Sequence, residues 1–436
     1  MDLSIFGPFL QIFNILKVVF GNLWQFIVPP FLFLIVFISW VYYRQGQYAR
    51  SLKFILLNIN VSGENIRTAF AAEQIMAGLH GVLSPRDPVE KYWLGEFQEA
   101  FSFEIVGING HVNFVIRAPE QFRDLVEAHV YAQYPEAEIT EVQDYAGEIP
   151  DEITAGDSPW EIWGTEMTLA REDAYPIKTY VDIEMATQAA PDEAKLDPLA
   201  GLLEVMSNLR EGEQMWMQII AEPTDDSWKD EGEALVRKLI GVKEPKKKSG
   251  VLKDFVNEWT EVLVQGVTQA PFAPPTFAAK SEEKDEGPHS LMQFLSPGEQ
   301  EAVKAIQRNI SKVGYRGKIR MIYLARKDVY DKSILKSRSA AFIGAFTQFA
   351  TTNLNTFKLT RKTSAHYWFP SRRLNKRKRQ ILGEYKSRSL SDGGSYFLNI
   401  EELATLFHFP TITVKAPMVE RIEVKKAMPP KGLPTV

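Results

Sequence analysis

The sequence predicts an α+β fold behind a membrane anchor, with antiparallel sheets, and three observations predict it. Residues 23–43 are 21 in a row without a charged side chain, close to the ~20 apolar residues with which one helix crosses a bilayer core. Residues 52–145 alternate strand-period and helix-period apolar patterns in the order β-α-β-β-α-β. Within them Asn109-Gly110 separates two apolar runs, a two-residue hairpin signal that makes the flanking strands antiparallel. That order is the one of ferredoxin-like (βαββαβ) domains, two helices on one face of an antiparallel sheet.

The anchor is assigned to residues 1–50. Trp24 stands at one end of the apolar stretch and Trp40, Tyr42 and Tyr43 at the other, where amphipathic rings favour the headgroup layer. Pro29 and Pro30 lie inside it and are expected to kink the helix or delay its start, because each removes a backbone donor. Arg44, Arg50 and Lys53 follow the span, against Asp2 and Lys17 ahead of it. The positive-inside rule then leaves the N-terminus out and the bulk of the chain in the cytoplasm. Residues 3–20, apolar but carrying Pro8, Gln11, Asn14 and Lys17, read as an interfacial amphipathic helix, with a second span as the alternative. A cleaved signal peptide is disfavoured, since the n-region is not basic and no small-residue cleavage site follows.

Beyond the anchor, about two to three domains are expected, the first at 51–148. Residues 52–61 read as a strand, and 65–79 as a helix with Ile66, Ala69, Phe70, Met76 and Ala77 on one face. A loop with Ser84-Pro85 and Asp87-Pro88 follows, then strands at 101–106 and 112–117. Pro119 is expected to open a helix whose Phe122, Leu125, Val126 and His129 repeat at i, i+3, i+4 and i+7. Tyr134-Pro135 ends it, and 137–142 is a closing strand.

A second α+β domain is placed at 149–370. The alternation at 177–186 predicts a strand. Asp197-Pro198 supplies an N-cap and a first helical residue for the stripe Leu199, Leu202, Leu203 and Met206. A strand at 213–222 and a helix at 228–240, with Trp228, Gly232, Leu235 and Leu239 in register, follow. A mobile insertion is expected at about 243–295: a basic linker at 243–249, an amphipathic helix at 251–267, and a Pro-, Ala-, Lys- and Glu-rich stretch at 269–288. Ser296-Pro297-Gly298-Glu299 then forms a capping box, opening a helix to about Lys312 before a strand at 318–325. Segments 197–221 and 296–325 thus share one plan, which reads as an internal duplication. The two halves would complete one domain around the insertion, closed by a helix at 332–351 and a strand near Phe357. Residues 371–436 hold a basic segment, a strand at 396–399, a helix at 401–407, an extended run at 412–417 and a tail with Pro429, Pro430 and Pro434.

Composition (45% hydrophobic, 24% charged, 12% aromatic) allows sizeable cores. The absence of cysteine excludes disulfides, thiolate metal sites and cysteine nucleophiles, and fits a reducing compartment. No G-x-x-x-x-G-K-[ST] run occurs, and GYRGK at 314–318 has the wrong spacing and leads into a strand. Nor is there a G-x-S-x-G elbow, an H-E-x-x-H pair or an acidic calcium loop. The six histidines (His80, His111, His129, His289, His366, His408) never fall at ligand spacing, and His129 reads as a core residue on an apolar helix face. No catalytic residue, cofactor or metal is expected, and the chain reads as a non-enzyme.

Charge is unevenly spread around the net −5. Between positions 136 and 161 stand nine acids and no Lys or Arg; between 358 and 388 stand eleven basic residues against Glu384 alone. Two solvated faces are the plain reading. The sharper one is that the basic segment meets phosphates or an acidic surface. Its core, SRRLNKRKR at 371–379, supplies Arg372, Arg373, Lys376, Arg377, Lys378 and Arg379, with His366, Tyr367, Trp368 and Phe369 just upstream. Cations beside aromatic rings suit nucleic acid, and anionic lipid is the alternative.

Five segments resemble the N-terminal, membrane-anchored region of the bacterial type IV secretion, conjugative DNA-transfer protein family. They are VEAHVYAQYPEAEITEVQDY at 126–145, YPIKTY at 175–180, DPLAGLLE at 197–204 with GEQMWMQI at 212–219, and LNIEELATLFHFP at 398–410. The resemblance runs from about Ser51 onward. Long members of that family continue into a motor domain with a P-loop, whereas this chain stops where that domain would begin. The resemblance therefore carries over no ATPase activity and no catalytic residues. It implies an adaptor or scaffold at the bacterial inner membrane that docks a separately encoded P-loop motor ATPase, with DNA and a second copy of the chain as further partners. A membrane-tethered nucleic-acid-binding protein is the alternative function, and an unrecognised membrane-bound enzyme a third.

Overall fold

A computed structural model of the protein describes residues 7–153, 158–187, 196–242, 295–364, 367–390, 393–412 and 414, with side chains of 7–20 and 22–27 left out. The linker, helix and Pro-rich stretch expected within 243–294, the tail, and most of the run at 412–417 lie outside the described residues. So does the side chain of Trp24.

The described strands are β1 (Phe54–Asn60), β2 (Phe101–Ile108), β3 (His111–Pro119), β4 (Glu138–Val142) and β5 (Trp160–Leu169), then β6 (Glu213–Pro223), β7 (Gly314–Arg326), β8 (Phe357–Thr360) and β9 (Tyr396–Asn399). They form one antiparallel sheet in the order β4-β1-β3-β2-β6-β7-β5-β8, with β9 on β7. The helices are α1 (Gly7–Ser51), α2 (Ala69–Leu79), α3 (Arg123–Gln133), α4 (Tyr180–Thr187) and α5 (Ala200–Ser207), then α6 (Ser227–Leu239), α7 (Pro297–Ile310), α8 (Lys332–Thr347), α9 (Pro370–Ser387) and α10 (Ile400–Leu406).

Successive strand residues point to opposite faces, and here both faces are covered. Met215, Met217 and Ile219 of β6 join the larger core with Phe103, Phe114, Met321 and residues of α2, α5, α8 and α10. Trp216, between them in sequence, joins a smaller core on the other face with Ile322, Leu324 and Ile381, Leu382 and Tyr385 of α9. At the hairpin, Asn109 (φ 52°) and Gly110 (φ 88°) both take positive φ, the backbone that a two-residue turn matched to strand twist requires.

The strand order contains a repeat. β1 to β4 lie as β4-β1-β3-β2, and β5 to β8 lie as β8-β5-β7-β6, with β2 and β6 paired antiparallel at the junction. The duplication is thus of four strands, larger than the cap–helix–strand unit read from the sequence. Between β6 and β7, where β2 and β3 are joined by a hairpin, the chain carries α6 and α7. The segments 51–148 and 149–370 share this one sheet, and the larger core draws side chains from both.

Several expectations need correcting. Residues 180–187 are helical, not a strand: the Thr179 backbone N–H and hydroxyl both donate to Asp182, at 3.1 and 3.5 Å, local bonds that outweigh the alternation. Ile66 is 80% exposed and Phe70 is exposed as well. The helix starts only at Ala69, capped by Thr68, and buries Ala72, Ile75, Met76 and Leu79. Pro119 closes β3, and a short 3-10 turn at Glu120–Phe122 separates it from α3. Strand β5 was not anticipated. Its Glu161 and Glu166 break the apolar pattern, and they are accommodated by Lys378 and by Arg320, which is 2.9 Å from Glu166 in a fully buried pair. Residues 7–20 continue in the same helix as the apolar span, so no separate interfacial element forms, and Pro29 and Pro30 sit inside α1 without delaying its start.

Candidate functional site

Helix α9 places the six sequence-singled cations, and it divides them. Arg372, Arg373, Lys376 and Arg379 are exposed, and among the described residues none of the four forms an ion pair. Arg377 donates to the Ser364 carbonyl, and Lys378 is buried in an ion pair with Glu161. Lys378 thus holds the helix to β5 and Arg377 holds it to the segment after β8, so neither is available to a partner.

The exposed set lies beside three aromatic rings. Trp368 is 84% exposed, Tyr367 and Phe369 scarcely less, and the Arg372 guanidinium lies 5.9 Å from the Phe369 ring centre. Trp368 (φ 27°) and Phe369 (φ 53°) both adopt positive φ. For bulky side chains this backbone is strained, costs on the order of 1–3 kcal/mol, and tends to occur at functional sites. Pro370 at the first helical position then starts α9.

The other end of α9 is locked into the sheet by buried polar contacts. Arg388 is 3.0 Å from Glu104 and 2.5 Å from Asp144. Burial opposes its charge, but Glu104 and Asp144 outweigh burial and hold the guanidinium above its ordinary range. Asp144 is likewise resisted by burial, yet Arg388 holds it below the usual carboxylate range. Arg320 donates to the Glu384 and Ser389 carbonyls at 3.1 and 2.6 Å. The Tyr145 hydroxyl donates to Glu104 at 2.7 Å and lies 2.7 Å from Tyr385; burial raises both phenols. The Gln218 side chain donates to Glu104 and to the Tyr385 carbonyl.

Helix α1 meets the body near this same C-terminal end of α9. The span Val28–Ser51 is long and apolar enough to cross a membrane, and none of its apolar stretch is buried in the body. Trp40, Tyr42 and Tyr43 are exposed. Farther along, the Arg44 Nε donates to the Trp93 carbonyl at 2.7 Å, and the Tyr48 hydroxyl donates to Glu99 at 2.5 Å. A cavity of about 970 Å³ opens where α1 joins the sheet, lined by Gly46, Ala49, Phe54, Arg117, Arg316 and Arg388 among others. Arg117 stacks 3.6 Å over Phe54, and burial, then Arg388, lowers its pKa to about 10. Arg316 is paired with Glu222.

Register fixes where the exposed cations stand. Phe54 pairs with Pro119 and Phe101 with Ala221 at the strand ends that α1 enters. Trp160 pairs with Arg326 and Glu213 with Ala325 at the other ends, and it is there that Lys378 meets Glu161. The 18 residues of α9 run about 27 Å at ~1.5 Å per residue, from the exposed cations to the cavity beside α1.

Among the described residues no cluster of three or more His, Asp or Glu is placed to hold a metal ion. The His129 ring lies over Gly78, where a Cβ would stand 2.1 Å from it, so His129 serves helix packing. The Arg388 network was not visible in the sequence, because its members are 284 and 244 residues apart in the pairs they form. A family model described as Domain of unknown function (DUF8128) matches residues 71–421, and no curated protein matches the chain.

Proposed function

Because the chain belongs to the family described as Domain of unknown function (DUF8128), which names no activity, we propose its role from its own geometry. It is a membrane-tethered, non-catalytic adaptor that presents the start of α9 to a polyanion, with single-stranded nucleic acid as the partner. The division of α9 carries this reading: one end is locked by buried ion pairs, and the other offers four unpaired cations beside three exposed rings. A cationic track with stacking platforms binds single strands largely without regard to sequence. The position of the patch, about 14 to 24 Å along α9 from Arg388 at ~1.5 Å per residue, favours a partner in solution over the lipid that α1 would cross. In this reading α1 spans the bacterial inner membrane with its N-terminus out, supported by Arg44, Arg50 and Lys53 on the body side.

Titration of a labelled single-stranded oligonucleotide with the full chain in detergent, at several salt concentrations, tests the proposal. Log affinity should fall with log salt by about 0.7 per phosphate neutralised. Changing Arg372, Arg373, Lys376 and Arg379 to Gln should flatten that slope by about 2 to 3 units on the same scale. Trp368→Ala should weaken binding by about 1–3 kcal/mol at every salt concentration. A flat response in the unaltered chain ends the reading.

A second reading, docking of a protein, is favoured by the strand order. The β4-β1-β3-β2 arrangement with α2 and α3 supports a ferredoxin-like unit, a fold that often serves as a docking module, though this is fold-level analogy. With the type IV secretion resemblance, the partner would be a separately encoded motor ATPase of a conjugative DNA-transfer apparatus. This reading expects a P-loop motor ATPase encoded beside the chain that co-elutes with the purified full chain; absence of such a gene, or independent elution, removes it.

A further inference from the structure

Before β2 the chain makes a single π-helical turn, Glu90–Leu94, in which no residue is buried. Val89, Tyr92, Trp93 and Leu94 all expose apolar surface, Trp93 at 64%. Isolated π-turns frequently sit at functional sites, and a contiguous exposed apolar patch on a folded body marks an interaction surface.

The turn is built onto α1. The Tyr92 ring lies 5.7 Å from Phe37, and Trp93 lies 5.4 Å from Trp40. Arg44 donates to the Trp93 carbonyl. Gly95 ends the turn at φ +78°, and a Cβ there would stand 2.4 Å from the Arg44 backbone, so a side chain would push the turn off the helix. On its other flank Asp87 and Glu90 cap each other's backbone N–H, and Arg86 is held by Glu96 and Glu99. The rings are therefore held in place rather than left on a loose loop.

We propose that Val89–Leu94 is a second membrane contact, seated in the interfacial layer beside α1, so that the bilayer surface lies level with Trp40 and Trp93. The inference rests on α1 crossing a membrane. Continuity selects lipid as the occupant: the patch adjoins Phe31–Ile38 of α1, apolar residues exposed all along their length. Ring chemistry agrees, since Trp and Tyr favour the headgroup layer, and Lys91 and Arg44 beside them can extend their charged ends to water while their stems stay apolar. A boundary at Trp40 leaves Arg44, Gln45, Gln47 and Arg50 outside the hydrocarbon and holds the body at one fixed tilt to the membrane.

The chain has no cysteine, which allows single-site labelling of the full-length protein. Phe33→Cys, Trp93→Cys and Trp368→Cys would each carry an environment-sensitive fluorophore in phosphatidylcholine vesicles containing lipids spin-labelled near the headgroup or deep in the tail. The label at 33 should be quenched best by the deep probe and that at 93 by the shallow probe with a blue shift, while that at 368 responds to neither. Deep quenching at 33 with a water-like label at 93 overturns the second contact and leaves the membrane reading of α1 standing. Absence of quenching at 33 removes both. If Trp93→Cys fails to fold, Val89→Cys reads the same depth and the same outcomes apply.

Discussion

Glu402 should make the protein less stable as pH rises from about 4.5 to about 8, and replacing it with Gln should remove that loss. The side chain is fully buried, the third residue of the capping box that begins α10. It accepts from the Asn399 and Ile177 backbone N–H groups at 3.0 and 2.9 Å. No cation pairs with it among the described residues; Arg308 and Lys312 go to the neighbouring Glu401 instead. Burial therefore dominates, overcomes the two amide donors and pushes the Glu402 pKa up to about 8 from an ordinary 4.5. In the unfolded chain the carboxyl regains its ordinary value, so between those two pH values the folded state holds more protons than the unfolded one. Stability then falls with rising pH, by up to ~1.4 kcal/mol per unit, or about 3–5 kcal/mol across the interval. Its contribution is fully present below the unfolded pKa and is lost as pH passes through the folded one. Gln has no proton to lose; because Ile177 and Asn399 donate to different carboxyl oxygens, its single carbonyl oxygen keeps one of the two bonds, and the lost one adds a penalty that does not change with pH. Urea unfolding of the full chain in detergent, followed by tryptophan fluorescence at pH 5.5, 7.0 and 8.5, reads the difference between parent and Glu402→Gln. That difference should favour Gln progressively toward pH 8.5. A difference independent of pH would refute the reasoning.

Other groups give separate tests. Arg388→Met leaves Glu104 buried without its cation, and removing one member of a buried pair costs about 3–5 kcal/mol; adding Glu104→Gln should restore part of the loss in the same urea assay. Gly95→Ala should free the turn at Glu90–Leu94 from α1, seen as faster amide hydrogen exchange at residues 90–95, with the body's unfolding midpoint little changed. Unaltered exchange would show that the contact at Gly95 has room to give. Trp368→Ala should leave the unfolding midpoint within about 0.5 kcal/mol, as for exposed positions in general, while it weakens oligonucleotide binding.

Legibility in the sequence followed the range of the interactions. Elements fixed by neighbours in sequence were readable: the Asn109-Gly110 hairpin, the Ser296/Glu299 cap of α7 and the long apolar run of α1. The start of α5 was only approximate: Asp197 accepts from the Leu199 N–H, but the helix begins at Ala200 with Leu199 as its N-cap, not at Asp197-Pro198. Elements fixed by partners far along the chain were not. β5 carries Glu161 and Glu166, acceptable in a buried strand only because Lys378 and Arg320 reach them, and nothing local signals that. The same limit applied to the basic segment. Its charge run was plain, but the inward turn of Arg377 and Lys378 is set by Ser364 and Glu161, so only four of the six cations face solvent. Tyr92 and Trp93 carry no local pattern, and their placement follows from the passage of α1 beside them. The four-strand repeat is a matter of strand order, which a single sequence carries only weakly.

The central claim, a body tethered by α1 that holds a polyanion at the start of α9, is tested most directly by flotation. Vesicles carrying the full chain, mixed with a labelled single-stranded oligonucleotide at low salt and spun through a density gradient, should carry the oligonucleotide upward with the protein. With Arg372, Arg373, Lys376 and Arg379 changed to Gln, the protein should still float and the oligonucleotide should stay below. An unaltered chain that floats alone, or that does not float at all, would contradict the account.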